Sequence, residues 1–316
     1  MKIVFKDWGR EVWIVNNDLY CGKFLELSGG YTSSYHCHKK KYETFYCVEG
    51  GGILKYENVD IPLLPYDEPI TIKPNTYHSF RSISPVKILE ISTHHSDNDV
   101  FRKLPSGKIS PVSKDSLEYM VSKAFDDKAL DFALRNLAID GDWAEFGVSS
   151  GTSTKKILQY LPAGVTLHLF DSFEGLPEDW KISGNRTLMD NKKGKYRVDE
   201  IPDFGDGTKL WIGMFKNTVP NFSRFNTKLS FIHIDCDLYS STRDVLFNIN
   251  NCIVPGTIIC FDEFCGYDVF GGGWMDHEYR ALQEFVTEFN RSFEYLGIGN
   301  AKRPSGIKSV VIKINE

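Results

Sequence analysis

No apolar stretch in the 316-residue chain approaches the ~18 residues that span a bilayer, and the first residues, M-K-I-V-F-K-D-W-G-R, lack the apolar core of a signal peptide. A soluble, cytoplasmic protein with no membrane partner is therefore expected. Long basic runs are also missing: the net charge of -5 is spread over interspersed acids and bases, and Lys39-Lys40-Lys41 reads as a solvated loop. Nucleic acid is accordingly not expected as a partner. The seven cysteines form no C-x-x-C pair and no regular framework, which fits reduced thiols. The chain has neither G-x-G-x-x-G nor G-K-[ST], so neither a dinucleotide-binding fold nor a P-loop is favoured. Internal repeats and low-complexity segments are absent.

What is present divides into two grammars. With 41% hydrophobic residues the chain is long enough for two cores. Residues 1–95 carry short alternating or aromatic runs (E-V-W-I-V, K-F-L-E-L, T-F-Y-C-V, V-K-I-L-E-I-S) broken by Gly, Pro, Asn and Asp, the pattern of antiparallel β-structure. The polar stretch 103–115 reads as a linker, and the two domains are expected to be 1–105 and 106–316. Beyond 115 amphipathic helical patterns appear, and strands then alternate with helices: A-E-F-G-V, a helix from about 152, V-T-L-H-L-F, L-S-F-I-H-I, a helix from about 241, T-I-I-C-F, a helix over 277–290 and a terminal pair near 293–299 and 307–314. That alternation predicts a mostly parallel sheet with helices on both faces.

The segments F-I-H-I-D-C-D-L-Y (231–239) and I-I-C-F-D-E-F (258–264) read as adjacent buried parallel strands, uncharged until their last residues. Asp235, Asp237, Asp262 and Glu263 should emerge together at the carboxyl edge of the sheet, where open α/β folds place ligands. Crowded carboxylates repel one another unless a cation lies between them, and Mg²⁺ is the natural hard divalent ion. Upstream, D-W-A-E-F-G-V-S-S-G-T-S-T (142–154) passes from strand to glycine-containing loop to helix. Gly147 and Gly151 permit a tight turn and close approach of a ligand, and Ser150, Thr152 and Ser153 are candidate helix caps. The next strand ends in L-F-D-S-F, which puts Asp171 where an acid can bind the hydroxyls of a ribose.

E-F-G-V-S-S-G-T-S, D-S-F-E-G-L-P (171–177), G-M-F-K-N-T-V-P (213–220), I-D-C-D-L-Y-S-S-T (234–242) and F-D-E-F (261–264) follow one another in an order that resembles the macrocin-type O-methyltransferases, over roughly residues 115–315. The resemblance implies a Rossmann-like class I methyltransferase domain that uses S-adenosylmethionine and Mg²⁺ to methylate a sugar hydroxyl. By the same resemblance Glu145, Gly147 and Gly151 line the methionine part of the cofactor site, Asp171 with its neighbour Ser172 holds the ribose, and Asp235, Asp262 and Glu263 ligate Mg²⁺. The family usually carries a second aspartate where this chain has Glu263. A base must take the hydroxyl proton, and Asp237 and His277 are the candidates. The Gly271-Gly272-Gly273 run reads as a mobile loop over the site, and Tyr239, Trp274 and Tyr279 as apolar walls for a sugar ring.

A second constellation lies in the first half. His36 and His38 alternate on a strand and so face one side, Glu43 can return beside them on the next strand, and His78 ends K-P-N-T-Y-H. Imidazoles with a carboxylate suit Fe, Mn, Ni or Zn. From Gly30 to Gly50 the pattern G-x5-H-x-H-x4-E-x6-G resembles the first cupin motif in full, whereas the second is altered at Asp67, Lys73, Asn75 and Ser82. The resemblance implies an all-β cupin barrel with a metal held by His36, His38, Glu43 and His78, of the kind found among sugar isomerases, and Lys55, Tyr56, Tyr77 and Arg81 are candidate sugar contacts. The expectation is thus a sugar O-methyltransferase acting on a nucleotide sugar or glycan, joined to a cupin, as a homodimer or higher homo-oligomer. A catechol-like or polyketide diol as substrate, a cupin isomerase or epimerase with an accessory methyltransferase-like half, and a non-catalytic carbohydrate-binding protein are the competing readings.

Overall fold

The computed structural model describes residues 1–65, 67–125, 128–181, 190–266, 273–299 and 307–316. It divides into two compact units, Met1–Phe125 and Asp126–Glu316. Among the described residues, no helix is long and apolar enough to cross a membrane.

The first unit is built of antiparallel strands in two sheets. One runs in the order Lys2–Lys6, Gly9–Asn16, Cys21–Leu27, Val86–Ser92, Glu43–Glu49, Ile70–Ile72. The other orders Val100–Leu104, Tyr35–His38, His78–Ser82, Tyr31–Thr32 and Gly107–Lys108, with Gly52–Tyr56 pairing both His78–Ser82 and Val59–Leu63. The pairing among the described residues gives two sheets and does not close them into one ring. Alternation fixes the faces: along Cys21–Leu27 every second residue is buried, and Leu25 and Leu27 meet the core with Phe45, Ile88 and Phe80. The same alternation turns Lys23 inward, where Glu11 and Glu90 lie 3.4 and 3.2 Å from its ammonium.

The stretch expected to be a linker is partly sheet, since Gly107–Lys108 pairs with Tyr31–Thr32. The helix Leu117–Ser122 also belongs to this unit. Its Met120 and Val121 are fully buried, and its Glu118 accepts a hydrogen bond from Arg81 at 2.7 Å. The unit therefore ends at 125, beyond the seam expected at 105.

In the second unit the strands Asp142–Phe146, Leu167–Asp171, Thr208–Ile212, Leu229–Ile234 and Ile253–Cys265 are parallel, and Lys308–Ile314 inserts antiparallel between Ile253–Cys265 and Phe293–Gly299. Counted along the chain, the order across the sheet within this unit is 3-2-1-4-5-7-6. The central strand Leu229–Ile234 is buried at every position, which is why it carries no Asp, Glu, Lys or Arg and only Ser230 and His233 interrupt its apolar side chains. Thr208–Ile212 escaped the sequence reading because it is an edge strand, half-exposed, whose apolar run is only Leu210-Trp211-Ile212. Because the first strand lies beside the fourth, the order reverses between Phe146 and Ile234. Such a switch point opens a crevice beyond the carboxyl ends of the strands.

The position of Leu117–Ser122 generates a test. A fragment ending at 105 discards two buried apolar side chains, each worth about 1.5–3 kcal/mol, as well as the Arg81–Glu118 pair. Urea unfolding of fragments 1–105 and 1–125 should show the longer one more stable by roughly 3 kcal/mol or more; equal midpoints would place the unit's end near 105.

Candidate active site

The crevice is shaped by two strand ends held together. Asp235 donates its backbone N–H to the carbonyl of Phe146 at 2.9 Å, and Gly147 donates to Phe170 at 3.0 Å. Gly147 has φ 92°, and a β-carbon there would run into the carbonyl of Asp235. Only glycine lets the loop pass this close to the acidic strand. The loop that follows is clamped by Asp171, whose Oδ2 accepts the N–H groups of Val148 and Ser149, both at 2.8 Å, while Oδ1 accepts that of Phe173 at 2.6 Å. Each oxygen offers two lone pairs, so Oδ1 retains room for one more bond without releasing the loop. The helix Thr152–Leu158 begins at Gly151, φ 77°, with no side-chain cap; the hydroxyls of Ser150 and Thr152 lie 3.4 Å from each other instead.

These turns enclose a cavity of about 640 Å³, a size suited to a small-molecule ligand. Gly147, Asp171, Ser172, Asp235, Asp237 and Glu263 line it together, whereas Glu145, Gly151, Asp262 and His277 do not. Tyr196, Met214, Phe215, Lys216 and Ser240 also line it, and the sequence reading had assigned none of them a contact there. The Ser172 hydroxyl accepts the N–H of Glu174 at 3.1 Å. Glu145 is fully buried in its strand, taking a hydrogen bond from the Thr154 hydroxyl and lying 3.1 Å from Nδ1 of His233. His277 precedes the helix Glu278–Glu288, and its carbonyl accepts the N–H of Ala281 at 3.1 Å. Of the proposed walls, Trp274 is buried, with its ring centroid 5.1 Å from that of Tyr279. Gly271 and Gly272 lie outside the described residues.

At the acidic end, one carboxylate oxygen each of Asp235, Asp237 and Glu263 come within 4.8 Å of one another. The structure thus groups Asp237 with Asp235 and Glu263 where Asp262 was expected, and the reason is local: Asp262 Oδ1 accepts the Ser309 hydroxyl at 3.1 Å. Asp262 still acts on the group. Burial, and next the charge of Asp262, push the Asp235 carboxyl well above the usual range. Asp237 sits at φ 60°, a conformation a non-glycine residue adopts at a cost. A fifth acid, Glu278, went unnoticed in the sequence. It is fully buried at the helix start, and burial with Asp262, Asp235 and Asp237 raises its pKa well above normal. Opposing them is His233: burial alone would lower its pKa, but the hydrogen bond and charge of Glu145, with Asp235 and Asp262, raise it to about 9. Carboxylates in this number, offering hard oxygen donors under partial burial, fit a divalent cation such as Mg²⁺.

In the first unit His38, Glu43 and His78 are buried and His36 half-buried. Glu43 lies 3.4 Å from His38 Nε2 and 3.2 Å from His78 Nε2, and the rings of His36 and His78 are 4.6 Å apart. All three imidazoles have Nδ1 on a backbone carbonyl: Ser34 at 2.8 Å, Asp99 at 3.1 Å and Thr76 at 3.1 Å respectively. A carbonyl only accepts, so each Nδ1 carries a proton. Burial, with His78 nearby, lowers the His36 pKa to about 3 and keeps that ring neutral. Lys41 sits 2.8 Å from Glu43 and also pairs with Glu90. Among the described residues only the acidic trio brings three donor atoms within 4.8 Å of one another.

The crevice at the switch point and the glycine loop beside an acidic strand end define an α/β fold with a cofactor-type cavity. The family model for macrocin-O-methyltransferase (TylF) matches residues 127–291, more than half of the chain. The chain belongs to that family. A relative from Streptomyces olivaceus, described as an 8-demethyl-8-(2,3-dimethoxy-alpha-L-rhamnosyl)-tetracenomycin-C 4'-O-methyltransferase, is 28% identical over 166 residues, covering 48% of this chain and 59% of its own length. This chain therefore spans less than two thirds of that relative. Among solved structures, the calicheamicin methyltransferase CalS11 aligns with 21% identity and a TM-score of 0.44 over 58% of this chain and 77% of its own. The O-methyltransferase NovP aligns with 18% identity and a TM-score of 0.42 over 59% and 79%.

The electrostatics predict how stability responds to pH. His233 has a raised folded pKa, so its stabilisation is complete below about 6.5 and is lost as pH rises through about 9. The raised carboxyls of Asp235 and Glu278 act in the same direction, since their deprotonation in the buried cluster costs stability as pH rises. In metal-free buffer the urea midpoint should fall between pH 6.5 and 9, and His233→Gln should flatten part of that slope, on the order of 3 kcal/mol at most. A wild-type midpoint that stays level across the range would contradict the charge assignment.

Proposed function

We propose that the protein is an S-adenosylmethionine-dependent O-methyltransferase that uses a divalent cation, Mg²⁺ by preference, to methylate a sugar hydroxyl. The observation that carries this reading is that the Gly147 loop and the carboxylates of Asp235, Asp237 and Glu263 line one cavity. Family membership and the rhamnosyl substrate in the name of the Streptomyces olivaceus relative favour a sugar over a catechol-like diol. When bound, S-adenosylmethionine supplies a methyl group on a sulfonium centre, and the cation makes a neighbouring hydroxyl more acidic.

The chain's own residues then divide the work. The Asp171 clamp shapes the loop against which the donor lies, and its remaining Oδ1 acceptor position is available to a ribose hydroxyl, with Ser172 beside it in the cavity wall. Gly147 gives close approach at the methionine end. Glu145 acts from beneath, orienting His233 and Thr154 of the helix Thr152–Leu158, and Gly151 turns the chain into that helix. Asp235, Asp262 and Glu263 are the proposed oxygen ligands; the first and last already lie together, and Asp262, whose Oδ1 is held by Ser309, is proposed to join them through its other oxygen. Asp237, already within 4.8 Å of two of them, is proposed to accept the hydroxyl proton as the methyl carbon passes from the sulfonium sulfur, which keeps the S–C electron pair as a neutral thioether, to the hydroxyl oxygen. His277, outside the cavity lining, is the less favoured base.

We also propose that the first unit is a cupin-type module holding a transition metal, Fe, Mn, Ni or Zn, through His36, His38, Glu43 and His78. Support comes from the three Nδ1–carbonyl hydrogen bonds, the arrangement by which imidazole ligands are oriented.

Two experiments test these readings. Incubation with labelled S-adenosylmethionine, Mg²⁺ and a panel of nucleotide sugars and rhamnosides should give methylated product, EDTA should abolish it, and Asp235→Asn should lower turnover by about 100-fold or more. Full turnover in EDTA would sink the cation mechanism. Metal analysis of purified His36→Ala/His38→Ala should show the first-unit metal gone while S-adenosylmethionine affinity stays within about twofold of wild type; metal content equal to wild type would remove the imidazoles from any metal site.

A further inference from the structure

Glu278 opens the helix Glu278–Glu288 yet is fully buried, where a glutamate in a first turn ordinarily reaches solvent. Its Oε2 accepts the backbone N–H of Glu263 at 3.2 Å, and its Oε1, equally buried, has no hydrogen-bond partner among the described residues. Favourable interaction with the helix dipole accounts for an acid at this position, and the bond to Glu263 accounts for one oxygen. Neither accounts for the second. A buried carboxylate oxygen left bare costs on the order of 1–3 kcal/mol or more, so an unfilled acceptor position of this kind points to a donor that binds there. The charged groups that act on Glu278 most are Asp262, Asp235 and Asp237, all acids, and its Oε2 is tied to the backbone of Glu263.

We propose that Glu278 is a positioning residue of the divalent-cation site: its Oε2 fixes the backbone of Glu263, and its Oε1 accepts a hydrogen bond from the hydration shell of the cation. The proposal rests on the cation reading above. Glu278 is not one of the three residues whose donor atoms fall within 4.8 Å of one another, and its Oε2 is taken up by the Glu263 backbone, so the role proposed for it is in the outer shell. Mg²⁺ fits that role because it keeps several of its waters when bound by carboxylates. Outer-shell partners of this kind orient the inner ligands, and losing one typically weakens metal binding by about 10–100-fold.

Calorimetric titration of the full chain with Mn²⁺, on wild type, Asp235→Asn, Glu278→Gln and Glu278→Asp, tests it. Glu278→Gln can still accept the Glu263 N–H through its amide oxygen, but it loses the charge and replaces the other oxygen with an NH₂ that only donates. With one less acid among like charges it should melt at or above the wild-type temperature in metal-free buffer. Its Mn²⁺ affinity should drop by about tenfold or more, and Glu278→Asp, with the charge withdrawn by one methylene, should also bind more weakly than wild type. Wild-type affinity in either Glu278 variant, beside a weakened Asp235→Asn, would reduce Glu278 to a helix anchor and overturn the proposal alone. If wild type takes up no Mn²⁺, or Asp235→Asn binds as wild type does, the cation reading fails and this inference falls with it.

Discussion

Like charge gathered at the edge of an apolar sheet is the constraint on which the second unit turns. Asp235, Asp237, Asp262 and Glu278 crowd the ends of two parallel strands and the start of a helix, Glu263 joins them through its carboxylate and its N–H bond to Glu278, and the charge of His233 acts on Asp235 and Asp262. Burial and the neighbouring acids make ionisation costly and push the carboxyls of Asp235 and Glu278 well above the usual range, so without a cation these two favour the protonated form. The His233–Glu145 pair beneath the glycine loop moderates that cost, and it ties the acidic strand to the loop strand at the point where their registers meet.

The same contact couples two functions that could have been separate. Gly147 passes so close to the Asp235 carbonyl that no side chain fits, and the Asp171 carboxylate gathers the next two N–H groups of the loop. The glycine loop and the acidic edge are therefore parts of one rigid arrangement within the second unit. A displacement of either strand end would move the cavity wall and the carboxylates together, which is what an in-line transfer between two bound groups demands.

Much of this was legible in the sequence because it lies in local patterns. Apolar runs ending in acids announced the parallel strands and their carboxyl edge, and alternation announced the antiparallel sheets of the first unit. What stayed hidden depends on long-range partners. His233 sits inside an apolar run and reads as a strand residue; only its register opposite Glu145 makes it an ion-pair member, although two ionisable groups in buried strands are themselves a signal that they must pair. Glu278 looks like any acid at a helix start until its burial is known. The Asp171 clamp, the Ser309–Asp262 bond and the partition of the first-unit strands into two sheets arise from pairing across the chain, which no local window records.

The central claim is that a cation among these carboxylates and a methyl donor on the glycine loop share one reaction centre. Nuclear relaxation of S-adenosylmethionine carrying a ¹³C-labelled methyl group, bound to the protein with and without Mn²⁺, measures their proximity directly. The account predicts strong paramagnetic broadening of the methyl signal that disappears in Asp235→Asn; a methyl signal unaffected by bound Mn²⁺ would contradict it.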